Sequence, residues 1–350
     1  MKLRAHQHGG LMRSYHLDKP GSFDGLVLRD HPDPQPSNAE VLIRVRATSL
    51  NYRDLLLLKG HYGRSAVPAG RIPLSDGAGE VIAVGPRVSR IKVGDRVAGS
   101  FLPKWIAGPI STEAISVQPT ISEDGWLTEL RVADEDACVS LPDSLTFEEA
   151  ATLPCAALTA WSALTAFRPV LPGEIVLTQG SGGVSVFALQ FAKLMGARVI
   201  VTTSSAEKAA KLTALGADVT INYREDPDWH IAARKASHGR GADHIIEVGG
   251  VGTLERSIKA AALGAQINLI GVLSKSTTFD PASLGSNIVT VIRSTVGSRR
   301  QFEAMNEAID AQGLRPVIDR IFSFSEARQA FEYFDTGAHF GKVVIRHTDE

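Results

Sequence analysis

The sequence predicts a two-domain α/β protein: an irregular β-rich domain that leads into a doubly wound parallel sheet. Three observations predict it. The chain has 350 residues, enough for two domains of ordinary size. Its texture changes near residue 145, from short strands broken by Pro and Gly to strands alternating with helices. Apolar residues make up 44% and charged residues 21%, so a full core can form without disulfide staples.

The β-rich part comes first. Val41-Leu-Ile-Arg-Val-Arg-Ala47 and Gly79-Glu-Val-Ile-Ala-Val-Gly85 read as strands, and Gly94-Asp-Arg-Val97 as a turn entering a third. The alternating part then supplies strands at 174–178, 198–202, 218–223, 242–248 and 266–270. Helices lie between them at about 184–195, 206–215, 229–237 and 253–261. Ile288 to Val296 reads as a sixth strand. Strands joined through helices of this length imply right-handed crossovers and a parallel sheet buried on both faces. After Arg300 the sequence predicts one amphipathic helix, Phe302 to Asp310, and a tail ending in the strand Lys342-Val-Val-Ile-Arg346. The expected division is 1–145, joined by a returning segment 300–350, and 146–299.

Several function classes are disfavoured. The net charge is −1, and pairs such as Arg299-Arg300 are too small for a nucleic-acid surface. No stretch approaches the roughly 20 apolar residues that span a bilayer. Two cysteines, Cys138 and Cys155, make no disulfide framework and suit a reducing, cytoplasmic setting.

Between the first strand and first helix of the alternating part lies Gly180-Ser181-Gly182-Gly183, with Ser185 in the third small position. This follows the dinucleotide fingerprint: small residues let the chain turn, let backbone N–H groups approach a pyrophosphate, and let helix and strand pack closely. The helix N-terminus adds unpaired donors and partial positive charge. The second strand ends in Val201-Thr-Thr-Ser-Ser-Ala-Glu-Lys208, without the carboxylate that binds the ribose 2′-hydroxyl of NAD. Hydroxyls and an ammonium suit the 2′-phosphate of NADP instead.

Taken together, the motifs resemble those of the medium-chain dehydrogenase/reductase superfamily over nearly the whole chain. They are Leu50-Asn-Tyr-Arg-Asp54, Gly77-Ala-Gly-Glu-Val-Ile-Ala-Val-Gly85, Val93-Gly-Asp-Arg-Val97, Ala151-Thr-Leu-Pro-Cys-Ala-Ala-Leu-Thr-Ala160, the glycine turn, and Phe340-Gly-Lys-Val-Val344. The resemblance is to the zinc-free, quinone-oxidoreductase-like members. It implies a GroES-like catalytic domain, a Rossmann domain and a tail that returns to the first. It also implies a family site in which Asn51 and Thr159 lie near the nicotinamide. Gly182, Gly183 and Val184 would meet the pyrophosphate, with Gly180 opening the turn, and Ser204, Lys208 and Tyr223 would hold the adenine end. Tyr62, eleven residues after Asn51, takes the place of a substrate-pocket tyrosine credited in enoyl reductases with proton donation. A further tyrosine common in quinone reductases is Leu56 here. Zinc-dependent members bind metal through Cys, His and Cys; those slots are Asn51, Ser75 and Cys155. A catalytic zinc needs three protein ligands, and Asp76 with Cys155 makes two.

The expected activity is hydride transfer from NADPH to an activated alkene, quinone or carbonyl compound, with Tyr62 and Asn51 as catalytic candidates and His61 a weaker one. The alternatives are a zinc-free NADP-dependent alcohol dehydrogenase and a non-catalytic NADPH-binding adaptor. The expected partners are a small-molecule substrate and a second copy of the chain, paired through the 288–296 strand, and neither nucleic acid nor membrane.

Overall fold

The computed structural model describes residues 10–62, 68–271, 273 and 278–347. In the first part, β1 (Leu11–Leu17) and β2 (Leu26–Pro32) pair as an antiparallel ribbon. β3 (Glu40–Ser49), α1 (Tyr52–Leu58), β4 (Asp76–Val84), β5 (Arg96–Gly99), β6 (Leu130–Asp134) and β7 (Cys138–Ser140) follow. The connection to the second part is α2 (Phe147–Ala150), a π-helical turn Leu153–Ala157, and α3 (Leu158–Thr165). The alternating part is β8 (Ile175–Gln179), α4 (Gly183–Leu194), β9 (Arg198–Thr203), α5 (Ala206–Ala214), β10 (Val219–Asn222), α6 (Trp229–Ala236), β11 (Ala242–Glu247), α7 (Val251–Ala260), β12 (Ala261–Leu269) and β13 (Val289–Arg293). The chain ends with α8 (Arg299–Gln312), β14 (Ile318–Ser323), α9 (Ala327–Asp335) and β15 (Lys342–Arg346).

The six strands β8–β13 form one parallel sheet in the order β10-β9-β8-β11-β12-β13. The order reverses at β8/β11, so a crevice opens at the carboxyl ends of these strands, the usual ligand position in such sheets. Buried strands explain the unbroken apolar texture: β8 and β11 are buried at every position. Phe187, Phe191 and Ala192 of α4 pack on one face of this sheet, and Trp229, Leu254 and Ile258 of α6 and α7 pack on the other.

The remaining strands form a seven-stranded sheet, β14-β15-β3-β4-β5-β7 with β6 on β3. β15 pairs antiparallel with β3, placing Val344 opposite Ser49. One expectation for the tail needs correction. Beyond the amphipathic helix, which runs longer than predicted at Arg299–Gln312, there is a strand, β14, and a second helix, α9. In α9 the buried residues are Ala327, Ala330, Phe331 and Phe334, a helical face of only nine residues whose aromatic content also suits a strand. The tail also crosses the crevice: Gly341 N–H donates to Ser181 O at 2.8 Å, which joins the two sheets at the glycine turn. Among the described residues, no helix is long and apolar enough to cross a membrane.

Candidate functional site

Where β8 ends, Gly180 adopts φ +75°, a left-handed conformation that suits glycine. Gly182 is the N-cap of α4 in extended conformation and provides no capping side chain, so the first N–H groups of the helix stay open to a ligand. A Cβ on Gly182 would meet nothing within 4 Å, which marks open space at the cradle. Ser185 acts on the other side of the turn, where its hydroxyl donates to Gln179 O at 2.6 Å and ties helix to strand. These residues fit a dinucleotide pyrophosphate. Farther along the crevice, Gln179 Nε2 donates to the fully buried Glu247 at 2.7 Å, and Ser257 and Thr253 hydroxyls complete the carboxylate's shell.

A cleft of about 680 Å³ runs from this turn into the β-rich half. Its wall includes Asn51, Tyr62, Thr159, Gly180, Gly182, Gly183, Val184, Ser204, Lys208 and Tyr223 of the sequence-predicted positions. His61 is exposed and is not part of that wall. Thr159 follows the π-helical turn and donates to Cys155 O at 2.6 Å. Tyr223 is 41% exposed at the rim.

Lys208 differs from the simplest expectation. Its ammonium already donates to Gly337 O and His339 O, each at 3.1 Å, which ties α5 to the tail. An ammonium has three donors, so one remains for a ligand. Burial lowers the Lys208 pKa, and His339 beside it is pushed down to about 4, by burial first and the Lys208 charge second.

The floor of the cleft holds a charged cluster that the sequence motifs do not disclose. Lys342, 2% exposed, donates from Nζ to Leu50 O and to Asn51 Oδ1, each at 2.6 Å. Its stem crosses the start of α4 at Gly183, where a Cβ would come within 2.7 Å of Lys342 Cδ. The glycine there serves this crossing as well as the cofactor turn. Asp76 is fully buried; Ser75 Oγ donates to its Oδ1 at 2.9 Å and Cys155 N–H to its Oδ2 at 3.2 Å. Burial raises the Asp76 pKa, and the Lys342 charge opposes that rise most strongly. Burial lowers the Lys342 pKa, with Asp76 opposing it. Asp54, also buried, accepts from Asn51 N–H at 3.0 Å and pairs with Arg53 at 3.2 Å; desolvation pushes its carboxyl up to about 6. The available signal was Phe340-Gly-Lys-Val-Val344, a lysine opening a strand whose next three residues are buried.

The three family metal slots therefore meet in space with a donor set that does not suit zinc. Asn51 Oδ1 is occupied by Lys342, and Ser75 is a neutral hydroxyl bound to Asp76. Cys155 is half-buried against Phe101, Leu102 and Val296, and burial pushes its thiol up. Among the described residues no group of three His, Cys, Asp or Glu could hold a metal ion.

Residues 37–143 match the model of the alcohol dehydrogenase GroES-like domain, and residues 183–311 match that of the zinc-binding dehydrogenase domain. A zinc-type alcohol dehydrogenase-like protein of Schizosaccharomyces pombe is 41% identical over 338 residues, covering 94% of this chain and 97% of that protein. The chain belongs to the medium-chain dehydrogenase/reductase superfamily. Within it, the chain is a quinone-oxidoreductase-like member and an NAD(P)H-dependent oxidoreductase. A quinone oxidoreductase of Pseudomonas aeruginosa is 32% identical over 340 residues, covering 93% of this chain and 96% of that protein. The solved structure of an NAD-dependent alcohol dehydrogenase superposes with a TM-score of 0.88, at 32% identity over 96% of this chain and 100% of that one.

Proposed function

We propose that this medium-chain dehydrogenase/reductase works without zinc as a reductase of activated alkenes, quinones or carbonyl compounds, using NADPH. The observation that carries this reading is the cleft floor. The three slots that hold metal in zinc-dependent relatives are filled by Asn51, Ser75 and Cys155; Lys342 donates to the Asn51 carbonyl and the Ser75 hydroxyl donates to Asp76, which leaves the Cys155 thiol as the one ordinary zinc ligand among them. The glycine turn opens onto the same cleft. Gly182, Gly183 and Val184 would hold the pyrophosphate, and Asn51 and Thr159 would flank the nicotinamide. Ser204, Lys208 and Tyr223 would face the adenosine end, where the free Lys208 donor favours a 2′-phosphate. The similar NAD-dependent structure makes the cofactor choice the first point to measure.

The bound cofactor supplies the hydride, and the protein supplies position and exclusion of water. Lys342 holds the Asn51 carbonyl, which turns the Asn51 amide NH₂ toward the Asp76 carboxylate and fixes the side chain on the cleft wall. Tyr62 would give a proton, or a hydrogen bond, to the reduced substrate. Among the described residues β13 is an edge strand, with Ile288 74% exposed just before it and Leu263 78% exposed near the start of the neighbouring β12. We assign this edge to pairing with a second copy, and the free cysteines favour a cytoplasmic setting.

The test is NADPH and NADH oxidation with an enone, a quinone and an aldehyde, before and after chelation. Reduction of one of these, unaffected by the chelator and faster with NADPH, is the expected result. Activity lost with one zinc per chain refutes the zinc-free reading. Alcohol oxidation alone selects the dehydrogenase alternative, and cofactor binding without turnover selects the adaptor.

A further inference from the structure

Arg53 stands out on the substrate side of the cleft. It follows the turn after Asn51 and lies in α1, 7% exposed, on the cleft wall. Its guanidinium lies 5.3 Å from the centre of the Tyr62 ring and 4.8 Å from that of Phe101, both also on the wall. Nη1 donates to Asp54 at 3.2 Å and Nη2 to Pro119 O at 3.1 Å. Nε is buried and has no partner. Of five N–H donors, two are used. The neighbouring wall is mostly apolar, with Phe101, Leu102 and Val296 all buried and Gln118 a polar member. A charged donor left unpaired in such a place is costly unless a ligand supplies the acceptor.

We propose that Arg53 receives the oxygen of an α,β-unsaturated ketone or aldehyde, and stabilises the negative charge that this oxygen gains during reduction. This rests on the reductase reading and names its substrate class. In the reaction a hydride forms a C–H bond at the β-carbon. The alkene π pair shifts to form the new double bond of an enolate, and the carbonyl π pair moves onto oxygen. The enone gains two electrons from the reduced dinucleotide, and a proton added at the α-carbon completes the saturated product. Arg53 gives up no proton, because guanidinium stays protonated in proteins. It supplies fixed donors aimed at the place where charge develops, and an apolar wall strengthens that interaction. The two aromatic rings hold the guanidinium plane in position.

The experiment has two readouts. The first needs neither cofactor nor turnover: 4-nitrophenol is titrated spectroscopically when bound to wild type, Arg53→Met and Arg53→Lys. A cation at the phenol oxygen lowers its apparent pKa by roughly one unit or more. The wild type is expected to show that lowering, Arg53→Met to lose it, and Arg53→Lys to keep part of it. The second readout is enone reduction. Arg53→Met is expected to lower kcat by roughly 10²–10³-fold, the usual loss of an oxyanion donor, with NADPH affinity unchanged. Thermal melting and NADPH binding establish that each variant is folded. The inference is overturned if wild type does not bind 4-nitrophenol, if its pKa is not lowered, or if Arg53→Met lowers it equally. Enone turnover with a probe indifferent to Arg53 overturns this inference alone. A probe that responds to Arg53, in a protein that reduces no enone, quinone or aldehyde, removes the reductase reading and with it the substrate assignment.

Discussion

Lys342→Met removes a buried ammonium and keeps most of its stem. Two 2.6 Å hydrogen bonds are lost, to Leu50 O and Asn51 Oδ1. Hydrogen bonds to charged groups contribute roughly 1.5–3 kcal/mol each, giving a gross loss of about 3–6 kcal/mol. Relief of the ammonium's own desolvation, which lowers its pKa, offsets part of that loss. Against this, the buried Asp76 loses the cation that most opposes its own desolvation. Removing one side of a buried charge pair costs about 3–5 kcal/mol, so a net loss of about 4 kcal/mol follows. For a chain of this size, at about 2 °C per kcal/mol, Tm should fall by about 8 °C. Thermal melting by circular dichroism at neutral pH measures it. Asp76→Asn alone should also destabilise, but adding it to Lys342→Met should cost less than the sum, with a coupling of about 1–3 kcal/mol. A Tm within about 2 °C of wild type for Lys342→Met, or additive losses in the double variant, would refute the compensation.

Three more outcomes are expected. Lys208→Ala should weaken NADPH by roughly 10- to 150-fold, the equivalent of one charged hydrogen bond, and barely change NADH binding; equal weakening of both would remove the phosphate role and leave the tie to Gly337 and His339. Tyr62→Phe should lower kcat on an enone by roughly 10²-fold or more with NADPH affinity constant, whereas a change under about threefold would mean that the ring only supports the cleft wall. Asp54 is raised from 3.8 to about 6, so the native state keeps its proton where the unfolded chain has lost it. Its contribution to stability is full below about pH 4 and is lost as pH rises through about 6, a swing of about 3 kcal/mol. Asp54→Asn cannot ionise, so its stability relative to wild type should rise by up to about that amount between pH 4 and pH 8; a pH-independent difference in denaturant melts would show that the carboxyl is not raised.

Local sequence determined the nucleotide-binding half. Strands buried on both faces are continuous apolar runs, and helices carry their own period, so β8 through β11 were legible nearly to their ends, while β12 begins at Ala261 rather than 266 and β13 ends at Arg293 rather than 296. The glycine turn was legible because its chemistry is local: Gly180 needs a positive φ, and Gly182 must leave the helix N-terminus open. The β-rich half was harder, because its pairings join distant segments; β15 closing on β3 crosses nearly the whole chain. The helix α9 escaped for a related reason, since nine residues with three aromatics acquire a helical face only when β14 and β15 are there to cover it. The charged floor of the cleft was decided by tertiary structure alone. The apolar run after Lys342 marks a buried strand but not the lysine's partners, since Asn51, Asp76 and Cys155 lie far from it along the chain. Folding brings them together, and burial then makes one ammonium the partner of the Asn51 carbonyl and the counter-charge to Asp76. The same burial turns Arg53, by its letter a surface residue, into a donor with N–H groups to spare on the wall of a cleft.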